Sequence, residues 1–320
     1  MDQQRHSVFL SIVLVLSDDR SFNQLLKRLS DIHAYVENHF QDYEYILVNN
    51  SSNSIDPSLS IDLNEAIKQN TFILNLSNPV HFNNAVLAGF DRSNGDYTII
   101  LEDHFIENPS IIGALYDKSK EGNDIVYLKG NRKKLGPLSK FINRQFFKII
   151  AKHSKLELDP YAHNTRIISR RALNSLLKLR ENVRFMKALY AVVGYPSAYI
   201  EVEETVHHTD RTVREQFRTS LIAITSFSNF LRSLMLRIFL LSIGILVLVT
   251  INTLLVKFTN YDIFGDYHEA VPGWAFLVIL SSIFFAITCL NLYIISIYLS
   301  NIYEEIKKRP LYIIKSAIRI

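Results

Sequence analysis

The chain has 320 residues, a formal net charge of +4 and 48% hydrophobic residues. That much apolar material with so small a net charge excludes global disorder, and the length allows one large or two modest domains. A single cysteine, Cys289, excludes a disulfide framework and a cysteine-rich zinc site.

In chain order, Val8–Leu16 is a short, nearly continuous apolar run, as for a strand covered on both faces. Ser21–Phe40 has helical spacing, with Leu25, Leu29, Ile32 and Val36 on one side. Tyr43–Val48 and Phe72–Leu76 read as strands, Asn84–Phe90 as a helix, and Asp96–Leu101 as a strand. Pro109–Ser119 then reads as a helix and Asp124–Leu128 as a strand. This alternation predicts an α/β fold with a mostly parallel, twisted sheet. Such sheets bind ligands beyond the carboxyl ends of their strands, so the loops after Leu16, Val48, Leu76 and Leu101 are where chemistry is expected.

From Lys129 to Lys155 there are nine Lys or Arg and no acid. Leu138, Phe141, Ile142, Phe146, Ile149 and Ile150 recur there at helical spacing. A basic helix over about 136–154 with an apolar stripe suits the headgroup layer of a membrane. The same charge also suits a solvated helix packed on the domain. Nucleic acid is not an expected partner.

Ile238–Val256 is 19 residues without a charge, and Val271–Tyr303 is uncharged again. A bilayer core of about 30 Å takes about 20 apolar residues in a helix. Two transmembrane helices are expected within 231–303, at about 235–257 and 273–298. Basic residues flank both on the outer sides: Arg211, Arg214, Arg218, Arg232 and Arg237 before the first, and Lys307, Lys308, Arg309, Lys315 and Arg319 after the second. The loop between carries Asp262, Asp266 and Glu269. The positive-inside rule then places residues 1–230 and a tail of 304–320 in the cytoplasm. No signal peptide is visible at the amino terminus.

The order of features resembles a known family. YEYILVNN, a helix ending in AGF, SNGDYTIILED, ENPSII, the basic amphipathic segment, ITSFS, two apolar runs with VPGWAFLVIL, and IYEEIKKRPLYI follow one another. The chain is similar over nearly its whole length to the membrane-bound family-2 glycosyltransferases that charge polyprenyl phosphate, the dolichol-phosphate mannose synthase-like group. The resemblance implies a GT-A, Rossmann-like nucleotide-binding domain, interfacial helices and two carboxyl-terminal spans. It implies transfer of a sugar from a nucleotide-diphosphate donor to a polyprenyl phosphate lipid on the cytoplasmic face of a membrane, for envelope glycan synthesis. A bacterial inner membrane is the location expected from it.

The resemblance also assigns roles, and here the polar signature departs from the family. Asp18 stands in the first loop, where a base or ribose contact is expected. Asn49 and Asn50 replace acids that hold the nucleoside, and keep hydrogen bonds without charge. Glu102, Asp103 and His104 stand at the family's D-x-D, which places Glu102 and Asp103 at the nucleotide sugar and Asp103 and His104 at a metal. Histidine suits Mn²⁺ better than Mg²⁺, and either ion is the expected cofactor. At the family's D-A-G-D-F-R the chain has Tyr161–Arg166, which makes His163, Asn164 and Arg166 the catalytic candidates. Arg184 and the His207, His208, Arg211 loop are candidates for acceptor phosphate or donor diphosphate. Two functions of different class follow: an enzyme with an atypical site, or a catalytically inactive relative that serves as membrane scaffold or regulator of an active partner. The oligomeric state is left open: the resemblance implies that a homo-oligomer can form through the carboxyl-terminal segment, for which Leu311–Ile320 is apolar enough, and Lys315 and Arg319 equally suit lipid heads.

Overall fold

The computed structural model describes residues 5–17, 22–55, 64–131, 141, 144–149, 152, 158–179, 186–205, 230–267, 274–306 and 310–320. The chain divides into two compact units: residues 1–147, 156–219 and 309–320 form one, and residues 148–155 and 220–308 the other.

In the first unit the elements run β1 (His6–Ser17), α1 (Phe22–His39), β2 (Phe40–Asn50), α2 (Glu65–Gln69), β3 (Thr71–Leu76), α3 (Phe82–Arg92) and β4 (Tyr97–Ile100). They continue with α4 (Ser110–Lys120), β5 (Ile125–Asn131), β6 (Ala162–Ser169), α5 (Arg170–Lys178), α6 (Met186–Val192), β7 (Ser197–Thr205) and, much later in the chain, β8 (Ile314–Arg319). The strands form one sheet in the order β7-β5-β6-β4-β1-β2-β3-β8. β1 pairs in parallel with β2 and β4, β2 with β3, and β5 with β7; β6 and β8 run antiparallel to their neighbours. The α/β class and the mostly parallel sheet are as expected.

Alternation along β1 shows why its apolar run is continuous. Ile12 and Leu14 share a core with Leu29, Ile32 and Val36 of α1 and with Ile112 and Leu115 of α4. Val13 points to the opposite face, toward α3. Both faces are covered, so no position on the strand can be polar without a partner. α3 lies close on the sheet because of Gly89: a Cβ there would stand 2.3 Å from Val13 Cγ1.

Four parallel strands end on one side, with Leu16 opposite Asn49, Asn49 opposite Asn75, and Val13 opposite Ile100. The antiparallel strand β6 starts on that side. Its Arg166 pairs with Ile100, so residues 162–165 run on past the end of β4. This places a strand beside the Glu102–His104 loop.

Within the carboxyl-terminal segment Leu311–Ile320, Ile314–Arg319 adds a strand to the sheet against β3. The match of small and apolar residues to the β3 edge, Ala317 beside Leu74 and Ile318 beside Ile73, satisfies a row of backbone groups that would otherwise be open.

In the second unit, α7 (Phe230–Thr259) and α8 (Trp274–Ile306) have 30 and 33 residues and cover the two charge-free runs. At 1.5 Å per residue they are roughly 45 and 50 Å long. Counting the described residues alone, no helix is long and apolar enough to cross a membrane. Of the basic segment, residues 144–149 are helical, and much of the remainder lies outside the described residues.

Candidate functional site

The β4 strand ends at Ile100, and Leu101 and Glu102 lead into a 3-10 turn over Asp103–Phe105. Phe105 is fully buried and anchors that turn. Glu102 faces β6 and is held by it. Its Oε1 accepts from Asn164 Nδ2 at 2.8 Å, and its Oε2 accepts from the backbone N–H groups of Asn164 (2.9 Å) and Thr165 (3.1 Å). The Glu102 N–H in turn donates to Thr165 Oγ1 at 2.9 Å. Burial works to raise the Glu102 pKa, but the His163 imidazole, Asn164 and the Thr165 N–H outweigh it and hold it down at about 2.

His163 lies in β6 rather than in a loop, with 1% of its side chain exposed. Its Nδ1 is 3.6 Å from Glu102 Oε2 and has no hydrogen-bond partner, while Nε2 lies 3.4 Å from the Glu204 carbonyl oxygen. Gly130 makes this approach possible: a Cβ there would fall 2.3 Å from His163 Nε2 and 2.2 Å from the Glu204 oxygen. The His163 ring meets Phe105 edge-on at 4.9 Å and His104 at 5.4 Å. Glu102, His104 and His163 each offer a ligand atom within 4.8 Å of the others. These are residues that can hold a divalent cation, and the buried, unpartnered Nδ1 aimed at a carboxylate fits that use. Asp103, expected beside His104 at the metal, opens the 3-10 turn and is not one of the three residues of this cluster.

Asn164 is at the site, spending its side-chain amide on Glu102. Arg166 is buried, and its guanidinium is committed: Nη2 donates to the His163 carbonyl (2.7 Å), Nε to the Asn164 carbonyl (3.1 Å), and the plane stacks on Tyr190 at 3.8 Å. Burial lowers its pKa. Arg166 thus shapes the strand that carries His163 and Asn164.

Asn49 and Asn50 are also engaged. Asn49 Nδ2 donates to the Asn53 carbonyl and to Asn75 Oδ1, both at 2.7 Å, and its Oδ1 accepts from Ser51 N and Oγ. Asn50 forms a two-bond ring with the Val80 backbone, at 2.9 and 2.8 Å. Both side chains pin the loops beyond β2 and β3. Asp18, Arg184, His207, His208 and Arg211 lie outside the described residues.

One residue at this end of the sheet went unnoticed in the sequence. Lys187, at the start of α6, donates from Nζ to the Ala162 carbonyl at 2.5 Å. Burial first, then Arg166, push its pKa down to about 8, with Glu102 and Asp159 pulling the other way. Its only signal in the sequence is a lysine set among Met186, Ala188 and Leu189, all of which are buried.

A mostly parallel α/β sheet carries a carboxylate–imidazole cluster beyond the ends of its parallel strands, where such folds bind ligands. Residues 20–177 match the family model for Glycosyl transferase family 2. It is 28% identical over 313 residues to an uncharacterized glycosyltransferase of Synechocystis sp., covering 96% of this chain and 95% of that one. It is 26% identical to a prophage bactoprenol glucosyl transferase homolog of Escherichia coli, over 92% and 93% of the two chains. It is 24% identical to the undecaprenyl-phosphate 4-deoxy-4-formamido-L-arabinose transferase of Shewanella sediminis, over 98% and 94%.

Proposed function

We propose that the protein transfers a sugar from a nucleotide-diphosphate donor to a polyprenyl phosphate at a membrane face. The observation that carries this reading is the Glu102, His104, His163 cluster beyond the carboxyl ends of the parallel strands. The names of the bactoprenol and undecaprenyl-phosphate relatives, which match nearly end to end, support the lipid acceptor. When bound, a divalent ion neutralises charge on the diphosphate leaving group. Two imidazoles with one carboxylate suit Mn²⁺ better than Mg²⁺, which prefers oxygen. Within the chain, β6 fixes the Glu102 carboxylate in its ionised form, and Arg166 fixes the backbone that aims His163 and Asn164. The acceptor phosphate is already an anion and needs positioning more than a strong base.

In this reading α7 and α8 cross the bilayer as a hairpin, with the sheet domain on the cytoplasmic side. Supporting it are the uncharged runs and the outward-facing apolar side chains, among them Leu240, Leu241, Val247 and Leu248 on α7 and Phe285, Leu292 and Leu299 on α8. The chain is expected to stay in the membrane pellet after alkaline carbonate washing; recovery in the supernatant defeats this part.

The purified protein, given labelled UDP- and GDP-sugars with polyprenyl phosphate and Mn²⁺ or Mg²⁺, is expected to form lipid-linked sugar. His104→Ala should lower that activity about 10-fold or more and shift the metal preference, since removing one of three ligands weakens a site on the scale of 10- to 100-fold. Unchanged turnover and metal dependence would place His104 away from the ion. A second reading, an inactive membrane scaffold, is favoured by one observation: Asn49 and Asn50 carry no charge and are wholly engaged in holding loops. Neither product nor nucleotide-sugar binding across those donors and metals leaves only the scaffold.

A further inference from the structure

Lys187 is bonded to a neutral group rather than to a carboxylate. Its ammonium has three N–H donors, and the one acceptor recorded for it, the Ala162 carbonyl, is neutral. Among the described residues no carboxylate reaches ion-pair distance of it. The two acids near enough to act on it are Glu102 and Asp159. The Glu102 oxygens accept from neutral β6 donors, so its charge acts on Lys187 without a direct bond. Asp159 accepts from the Tyr161 N–H at 2.8 Å and from Tyr127 at 3.2 Å, and has Lys129 at 3.9 Å. The neighbouring cation, Arg166, also bonds only to neutral carbonyls. Two cations this close, each bonded directly only to neutral carbonyls, leave N–H donors open to an anion. The Ala162 carbonyl lies at the start of β6, next to His163, so these donors are at the end of the sheet where the cluster stands.

We propose that Lys187 receives a phosphate group of a substrate, the anion accepting from the Nζ donors that no described residue engages. The inference rests on the glycosyltransferase reading and adds to it a residue that contacts substrate. Two sources have the required chemistry, the donor diphosphate and the acceptor monophosphate. In either case the bond is a charge-assisted N–H···O⁻ contact from the two Nζ donors not spent on Ala162.

The test uses the full-length protein in detergent. Lysines are pulse-labelled with acetic anhydride and read by peptide mass spectrometry, alone, with UDP and Mn²⁺, and with a polyprenyl monophosphate. Binding of each ligand is measured in parallel by equilibrium dialysis. One ligand is expected to slow acetylation of Lys187 several-fold while exposed Lys178 is unaffected; the ligand that protects identifies the source. Lys187→Met should then weaken that ligand on the order of tenfold, and Lys187→Arg should restore most of it. A brace that only holds Ala162 would give neither the protection nor the rescue. If both ligands bind and Lys187 is labelled at an unchanged rate, the inference is wrong and the glycosyltransferase reading stands. If neither ligand binds the wild-type protein, both fall together.

Discussion

Glu102 is gripped by donors from a single strand, and that grip sets a response to acid. Its folded pKa of about 2 lies below the ordinary carboxylate value of 4.5. A depressed folded pKa means the stabilisation is complete above about pH 4.5 and is lost as pH falls from there toward 2. With only 14% of the side chain exposed, the shift corresponds to about 3 kcal/mol. Glu102→Gln should therefore be less stable than the wild type at pH 6, and the gap should close on acidification. Urea unfolding of the two proteins between pH 6 and 3 measures it; a gap that does not change with pH means the carboxylate is not held ionised. The loop itself was legible, because an acid–acid–histidine run follows a buried strand. Its partner was not. Asn164 and Thr165 are 62 and 63 residues away, and no local pattern links them to Glu102.

Elements built from apolar runs were readable, and those defined by pairing were not. β1 to β4 announce themselves because burial on both faces forces a continuous apolar sequence. β6 reads AHNTRIIS, and its polar half is stable as a strand only because Glu102 and Arg166 satisfy it. His163 therefore sits in a strand that its own neighbours in sequence do not announce. Gly89 shows the reverse case, a single atom of absence setting a helix on a sheet. Gly89→Leu should cost roughly 1–3 kcal/mol by forcing α3 off Val13, seen as a lower unfolding midpoint. An unchanged midpoint would mean that α3 has room to lift. Lys187 was missed for a related reason: in sequence a lysine reads as solvent-facing, and only tertiary contact reveals it turned toward Ala162.

At the scale of the molecule, the sheet is closed by a strand that the chain makes last among its elements. Beyond the backbone ladder with β3, Asn75 Nδ2 donates to Ser316 Oγ at 3.0 Å, Lys315 reaches Ser54 Oγ at 2.9 Å, and Asn84 Nδ2 reaches the Leu311 carbonyl at 3.0 Å. β8 thus touches the loops pinned by Asn49. Deleting residues 310–320 should expose the β3 edge, lower the unfolding midpoint and promote self-association, read by light scattering. A monodisperse deletion variant of unchanged stability would show that β8 adds nothing to the sheet.

Because β8 follows α7 and α8, the ribosome produces both long helices before the sheet receives its eighth member. During that interval β3 is an unguarded edge. A lesion in either helix that delays or misroutes the following segment would then show up as aggregation of the sheet domain.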